Sequence, residues 1–118
     1  MNVPLMIILA WMANATLEAH PPKQFKQAGI ASWYGAECSK TASGEHYNCS
    51  SFTAAHRTLP FGTMVEVHNL ANGRSVTVRI NNRGPFCKGR VLDLSKAAAQ
   101  QLQMIRSGTA RVELAVLQ

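Results

Sequence analysis

Arg79-Ile80-Asn81-Asn82-Arg83-Gly84-Pro85-Phe86, and then Gly89-Arg90-Val91-Leu92-Asp93-Leu94-Ser95, is the stretch on which the architecture of this chain turns. Its first half closes an alternating segment that begins at Arg74. Val76, Val78 and Ile80 point to one side, and Thr77, Arg79 and Asn81 to the other. A period of two predicts a half-buried strand. Gly84-Pro85 ends that strand, because proline has no N–H to give to a ladder. The second half predicts a short strand at Val91-Leu92 that runs into a helix. Ser95 is a good N-cap, and Lys96 to Leu102 is rich in strong helix formers. Asp93, just before that cap, is the only aspartate in the chain.

Outward from this stretch the pattern stays β-like. Thr63 to His68 alternates apolar and polar, and Asn69-Leu70-Ala71-Asn72-Gly73 supplies a hairpin turn with Asn-Gly as its strongest signal. Ala28 to Tyr34 has strand character and is closed by Gly35, and Glu37 to Ser51 reads as a long polar loop. After the break at Gly108, Thr109 to Leu117 returns to strand with Ala110, Val112, Leu114 and Val116 on one face. The tally is five or so short strands and one helix. Short strands hide their edges most easily by closing into a barrel.

At 118 residues the chain is sized for one domain with one modest core. No internal period or heptad appears. Twelve basic and six acidic residues give a net charge of +6, spread along the chain without a dense basic run or interleaved aromatics. That argues against nucleic acid as a partner. The charge suits an anionic polymer such as a wall glycan, or serves solubility alone.

Residues 1–27 read as a signal peptide and flexible lead-in, and residues 28–118 as the domain. Val3 to Met12 is too short an apolar run to span a bilayer comfortably but has the length of a signal-peptide core. Ala13 and Ala15 supply small residues for cleavage, expected between Ala13 and His20, although no Lys or Arg precedes the run. A buried N-terminal helix is the alternative. No cysteine closely follows the run, so no membrane anchor is expected after processing. Cys38, Cys49 and Cys87 allow one disulfide in an oxidising compartment, with the pairing open. Their spacing matches no zinc signature, and nothing points to a metal, nucleotide or organic cofactor.

Several motifs in order resemble the rare lipoprotein A family of bacterial envelope proteins. They are Ala31-Ser32-Trp33-Tyr34-Gly35, Thr41-Ala42-Ser43-Gly44-Glu45, Thr53-Ala54-Ala55-His56, Thr58-Leu59-Pro60-Phe61-Gly62, Asn72-Gly73-Arg74-Ser75, Arg83-Gly84-Pro85-Phe86, Gly89-Arg90 and Asp93-Leu94-Ser95. Together they cover about Gly29 to Leu117. The resemblance implies a mainly β fold, a six-stranded double-psi β-barrel with one short α-helix. It implies lytic transglycosylase chemistry on peptidoglycan glycan strands. The β-1,4 link between N-acetylmuramic acid and N-acetylglucosamine is cut, and an internal hydroxyl closes a 1,6-anhydro ring. It also implies export to the periplasm or cell envelope; the oligomeric state stays open, with a monomer the expectation. Expansins are more distant relatives of the same barrel.

Breaking such a link means protonating the leaving oxygen while positive charge grows on the sugar ring. The family pattern has an aspartate where this chain has Asn82. An amide keeps size and hydrogen bonding but cannot act as general acid or base. Glu45 matches a family acidic position, where it would orient substrate or take over as acid, unless it is a solvated loop carboxylate. His56 matches a family histidine, as a proton shuttle, a sugar hydrogen-bonder or a structural residue. Asp93 is either favoured by the helix N-terminus or a second catalytic carboxylate. Arg83 would hold an acidic group of the substrate or pair with Asp93. Trp33 and Tyr34 are either a sugar-stacking platform or core. Beside the enzymatic reading stand a non-catalytic glycan-binding or wall-loosening module, and a partner-binding envelope protein that kept only the fold.

Overall fold

The computed structural model describes residues 26–35 and 41–117. The signal segment, most of the lead-in and Cys38 lie outside the described residues. The chain forms β1 (Lys26–Trp33), β2 (Thr53–Ala55), β3 (Met64–Asn69), β4 (Ser75–Asn82), β5 (Arg90–Leu94), the helix α1 (Lys96–Gln101) and β6 (Thr109–Val116). The strands close into a barrel in the order β1-β5-β2-β4-β3-β6. Two pairings, β1 with β5 and β2 with β4, are parallel. The others are antiparallel. This is the mixed six-stranded barrel with one short helix that the resemblance implies. Closure leaves no sheet edge to be covered.

The alternation read from the sequence explains the interior. Val65 and Val67 of β3, Val76, Val78 and Ile80 of β4, Leu92 and Leu94 of β5, and Val112 and Leu114 of β6 fill it. Ala98, Ala99, Leu102 and Met104 from the helical segment belong to the same cluster. Each such branched side chain, fully buried, contributes about 1.5–3 kcal/mol. Gly29 lets β1 approach β5: a Cβ there would stand 2.5 Å from Val91 Cγ1.

The hairpin between β3 and β4 forms as expected, with Gly73 N–H donating to Asn69 O at 2.8 Å and Gly73 at φ +78°. It also caps α1. The side-chain amides of Asn69 and Asn72 donate to Leu102 O at 2.9 and 3.0 Å, and Arg74 Nε donates to Gln101 O at 2.6 Å. These bonds satisfy carbonyls that a helix C-terminus leaves open. At the other end Ser95 is the N-cap, its hydroxyl accepting from Ala98 N–H. The helix is one residue shorter than expected, with Leu102 as C-cap.

Two features depart from the local sequence reading. The first strand starts at Lys26 rather than Ala28. The strand β2 carries too few residues for any alternation to show. It exists because β4 and β5 flank it, and all three of its residues are buried.

Candidate functional site

The outward-facing residues of β1, β5, β2 and β4 make one polar flank. Asp93 is paired with Ala55 on one side and Ser32 on the other. Thr53 pairs with Arg79. Between Ala54 and Ala55 the register slips, so that Ala54 faces Ile80 while Ala55 faces Asn82. Asn81 is the extra residue of this irregularity. Such bulges redirect side chains and are common beside functional sites. Here they let both asparagines engage the loop that carries Glu45. Ser43 N–H donates to Asn81 O at 3.2 Å, and Ala42 N–H donates to Asn82 Oδ1 at 2.9 Å.

Asn82 is held by its oxygen. Besides Ala42, the N–H of Arg83 donates to the same Oδ1 at 2.9 Å. Both contacts are donors, so the amide oxygen must face them, and the NH₂ group is the end left for a ligand. It offers a hydrogen bond but no proton that can be transferred.

Glu45 is held by charge. Arg79 Nη1 and Nη2 reach Glu45 Oε1 and Oε2 at 2.8 and 3.1 Å, a two-pronged contact between side chains that are both partly exposed. The Arg79 hydrogen bonds, and then one from Asn81, hold the Glu45 carboxyl below the usual carboxylate range. A group fixed as an anion is suited to stabilising positive charge and poorly suited to delivering a proton.

His56 is held by the backbone. It is 3% exposed. Its Nδ1 accepts from Thr58 N–H and Leu59 N–H, both at 3.1 Å, so Nδ1 carries no proton and Nε2 donates to Gln27 Oε1 at 2.9 Å. Burial, and then the charges of Arg83 and Arg57, push the imidazole below its ordinary value. Protonating Nδ1 would break both backbone bonds, so this histidine clamps a turn in its neutral form.

Asp93 accepts from the Ser32 hydroxyl at 2.6 Å. Arg83 does not pair with it. Its Nη1 donates to the carbonyls of His56 and Leu59 at 3.2 and 2.9 Å, and its guanidinium lies 4.1 Å from the centre of the Phe61 ring. Trp33 is half-buried against the core. The Tyr34 ring packs on Tyr47 with centroids 4.6 Å apart. Burial pushes the Tyr34 hydroxyl up to about 12, and the Thr53 hydroxyl beside it opposes this only in part. The Tyr34 hydroxyl, Thr53 Oγ1 and Asn81 Oδ1 are buried without completing a hydrogen bond.

The structure thus brings Glu45, Asn82 and Asp93 to one flank, with His56 and Arg83 supporting its rim. Sequence reasoning missed Arg79 and Asn81, the partners of Glu45. Strand alternation placed both on the outer face, but nothing local told which loop would reach them. Among the described residues no group of three His, Cys, Asp or Glu side chains gathers as metal ligands, and Cys49 and Cys87 are free thiols. No described helix is long and apolar enough to cross a membrane. An open pocket lined by Cys49, Phe52, Lys96 and Gln100 lies against α1 and contains none of the sequence-predicted site residues.

A family model described as lytic transglycolase matches residues 26–114, which takes in β1 to β5 and most of β6. The chain belongs to this family. It is 57% identical over 91 residues to the endolytic peptidoglycan transglycosylase RlpA of Campylobacter jejuni, covering 75% of this chain and 33% of that protein. It is 58% identical over 93 residues to the probable endolytic peptidoglycan transglycosylase RlpA of a Nostoc species, covering 75% and 25%. The chain therefore spans a quarter to a third of these relatives. Among solved structures, the Streptomyces papain inhibitor matches with a TM-score of 0.67 and 25% identity, over 82% of this chain and 98% of that one. A point mutant of Clavibacter michiganensis expansin in complex with cellohexaose matches with a TM-score of 0.60 and 20% identity, over 80% of this chain and 51% of that one. The expansin likeness carries the double-psi barrel fold and no more.

Proposed function

We propose that this domain binds peptidoglycan glycan strands on the flank of Glu45, Asn82 and Asp93, and that it cleaves them weakly or not at all. The reaction is that of its relatives, which are named endolytic peptidoglycan transglycosylases. It breaks the link between N-acetylmuramic acid and N-acetylglucosamine and leaves a 1,6-anhydro end. The observation that carries the reading is the Asn82 amide, pinned oxygen-first by two backbone N–H groups. The family's aspartate would stand there with an oxygen to spare for proton transfer, and the amide has none. In the residual reaction Glu45, kept anionic by Arg79, faces the positive charge on the sugar ring, and Asp93 is the carboxyl left to exchange a proton with the leaving oxygen. Such a role for one group is worth about 10²–10⁴-fold, so its loss leaves binding dominant. The same observation favours the non-catalytic module as the second reading. Export to the periplasm or envelope, where this polymer lies, is part of the proposal.

The test is incubation of purified protein with intact and peptide-stripped glycan strands, with co-sedimentation for binding and mass spectrometry for 1,6-anhydro ends. Binding with little product is expected. Abundant product would overturn the impairment, and absence of binding would overturn the glycan reading itself.

A further inference from the structure

We infer that Phe86 is a sugar-stacking residue of this glycan-binding flank and that Arg57 is the residue that positions it; the inference rests on the glycan reading above. Phe86 is 81% exposed, against 42–48% for Phe52, Phe61 and Leu70. A ring so bare presents apolar surface that a ligand with an apolar face can cover. The backbone that carries it is held on both sides. Arg57 Nε donates to Pro85 O at 2.6 Å and Arg57 Nη2 donates to Cys87 O at 2.7 Å, so one guanidinium grips the carbonyls on both sides of Phe86.

The ring is turned in a definite way. Its Cε2 and Cδ2 atoms lie 3.5 and 3.8 Å from where a Cβ of residue 84 would be, so one edge rests over Gly84. With that edge against the backbone, most of the ring's surface still meets solvent. Phe61 differs: the Arg83 guanidinium already covers one of its faces at 4.1 Å. Trp33 and Tyr34 differ too, being packed on the core and on Tyr47. Phe86 follows Asn82 by four residues on the same chain segment, past the end of β4.

One flat exposed ring suits a pyranose, which offers an apolar C–H face rimmed by hydroxyls. A protein partner would call for a contiguous apolar patch. Cys87, Lys88, Gly89 and Arg90 follow Phe86 instead. Holding the backbone on both sides of the ring before binding reduces the ordering cost of the complex.

The experiment is a titration of the protein with peptide-stripped glycan strands by calorimetry, beside thermal melts and sedimentation of each variant. Phe86→Ala is expected to weaken the dissociation constant about tenfold with the melting temperature unchanged, and Phe86→Trp is expected to retain affinity. Arg57→Ala is expected to weaken binding in the native background and to add nothing in the Phe86→Ala background, because its effect runs through the ring. If the native protein binds and Phe86→Ala binds within twofold of it, the inference falls and the glycan reading stands. If the native protein is a dimer that Phe86→Ala dissociates without loss of affinity, the ring joins two copies and the inference falls. If the native protein binds no glycan, the reading beneath falls and takes this role with it.

Discussion

Glu45 and His56 border the same flank of the barrel and are held in opposite ways. The loop carrying Glu45 faces solvent, and its carboxylate is gripped by an opposite charge, Arg79. The turn after β2 is closed, and its imidazole is gripped by two backbone N–H groups that only a neutral ring can satisfy. One group is fixed charged and the other fixed uncharged. A general acid or base must change state near the working pH, and neither of these is arranged to do so. Beside them lies Asn82, where the family resemblance implies an aspartate. The contrast teaches that matching a motif places a residue without fixing its charge state.

The sharpest way to break this contrast is to return a titratable group to the position between its two halves. Asn82→Asp is expected to raise 1,6-anhydro product by about 10²-fold or more, read by mass spectrometry. The new carboxylate would accept the same N–H groups of Ala42 and Arg83, which favours its ionised form. It would act first as a base toward the sugar hydroxyl. No gain would place the defect outside position 82.

How far the residues alone foretold this arrangement differs from place to place. The hairpin and its Asn-Gly turn, the N-cap at Ser95 and the inner faces of β4 and β6 could be read because each signal spans only a few neighbouring residues. The strand β2 could not, since three small residues carry no period and its burial depends on β4 and β5. The Glu45–Arg79 pair joins residues 34 apart, and no local rule links them. The role of His56 was open in the sequence because a proton shuttle and a turn clamp use the same side chain. Only the donors on Nδ1 decide between them. The slip in register at Ala55 has no sequence mark, yet it is what makes Asn81 and Asn82 neighbours of one loop.

Removing the clamp should cost stability. His56→Ala takes the acceptor from two backbone N–H groups and the partner from Gln27, an expected loss on the order of 2–3 kcal/mol in urea denaturation. The native protein should also show the sign of the clamp in its pH dependence. Burial lowers the folded-state pKa of His56 below the unfolded value, which is about 6.5. The neutral ring's stabilisation is therefore complete above that pH and is lost as pH falls through the lower folded value. His56→Ala should lack this slope. A variant as stable as the native protein, with the same slope, would show that the turn holds itself.

The smallest effect is expected on the charged side. Arg79→Gln should change stability by less than about 1 kcal/mol, because the pair is partly exposed and water screens it. Its effect belongs instead to titration. With Arg79 present, the folded-state pKa of Glu45 is depressed, so the pair stabilises the fold above the unfolded carboxylate range and ceases to do so as pH falls through the folded value. Carbon-detected NMR of the Glu45 carboxyl should show its midpoint move upward in Arg79→Gln, toward the ordinary range. An unchanged midpoint would mean that Asn81 and the loop itself hold the charge. Arg79 would then be a bystander, and the two sides of the flank would both be set by neutral hydrogen bonds.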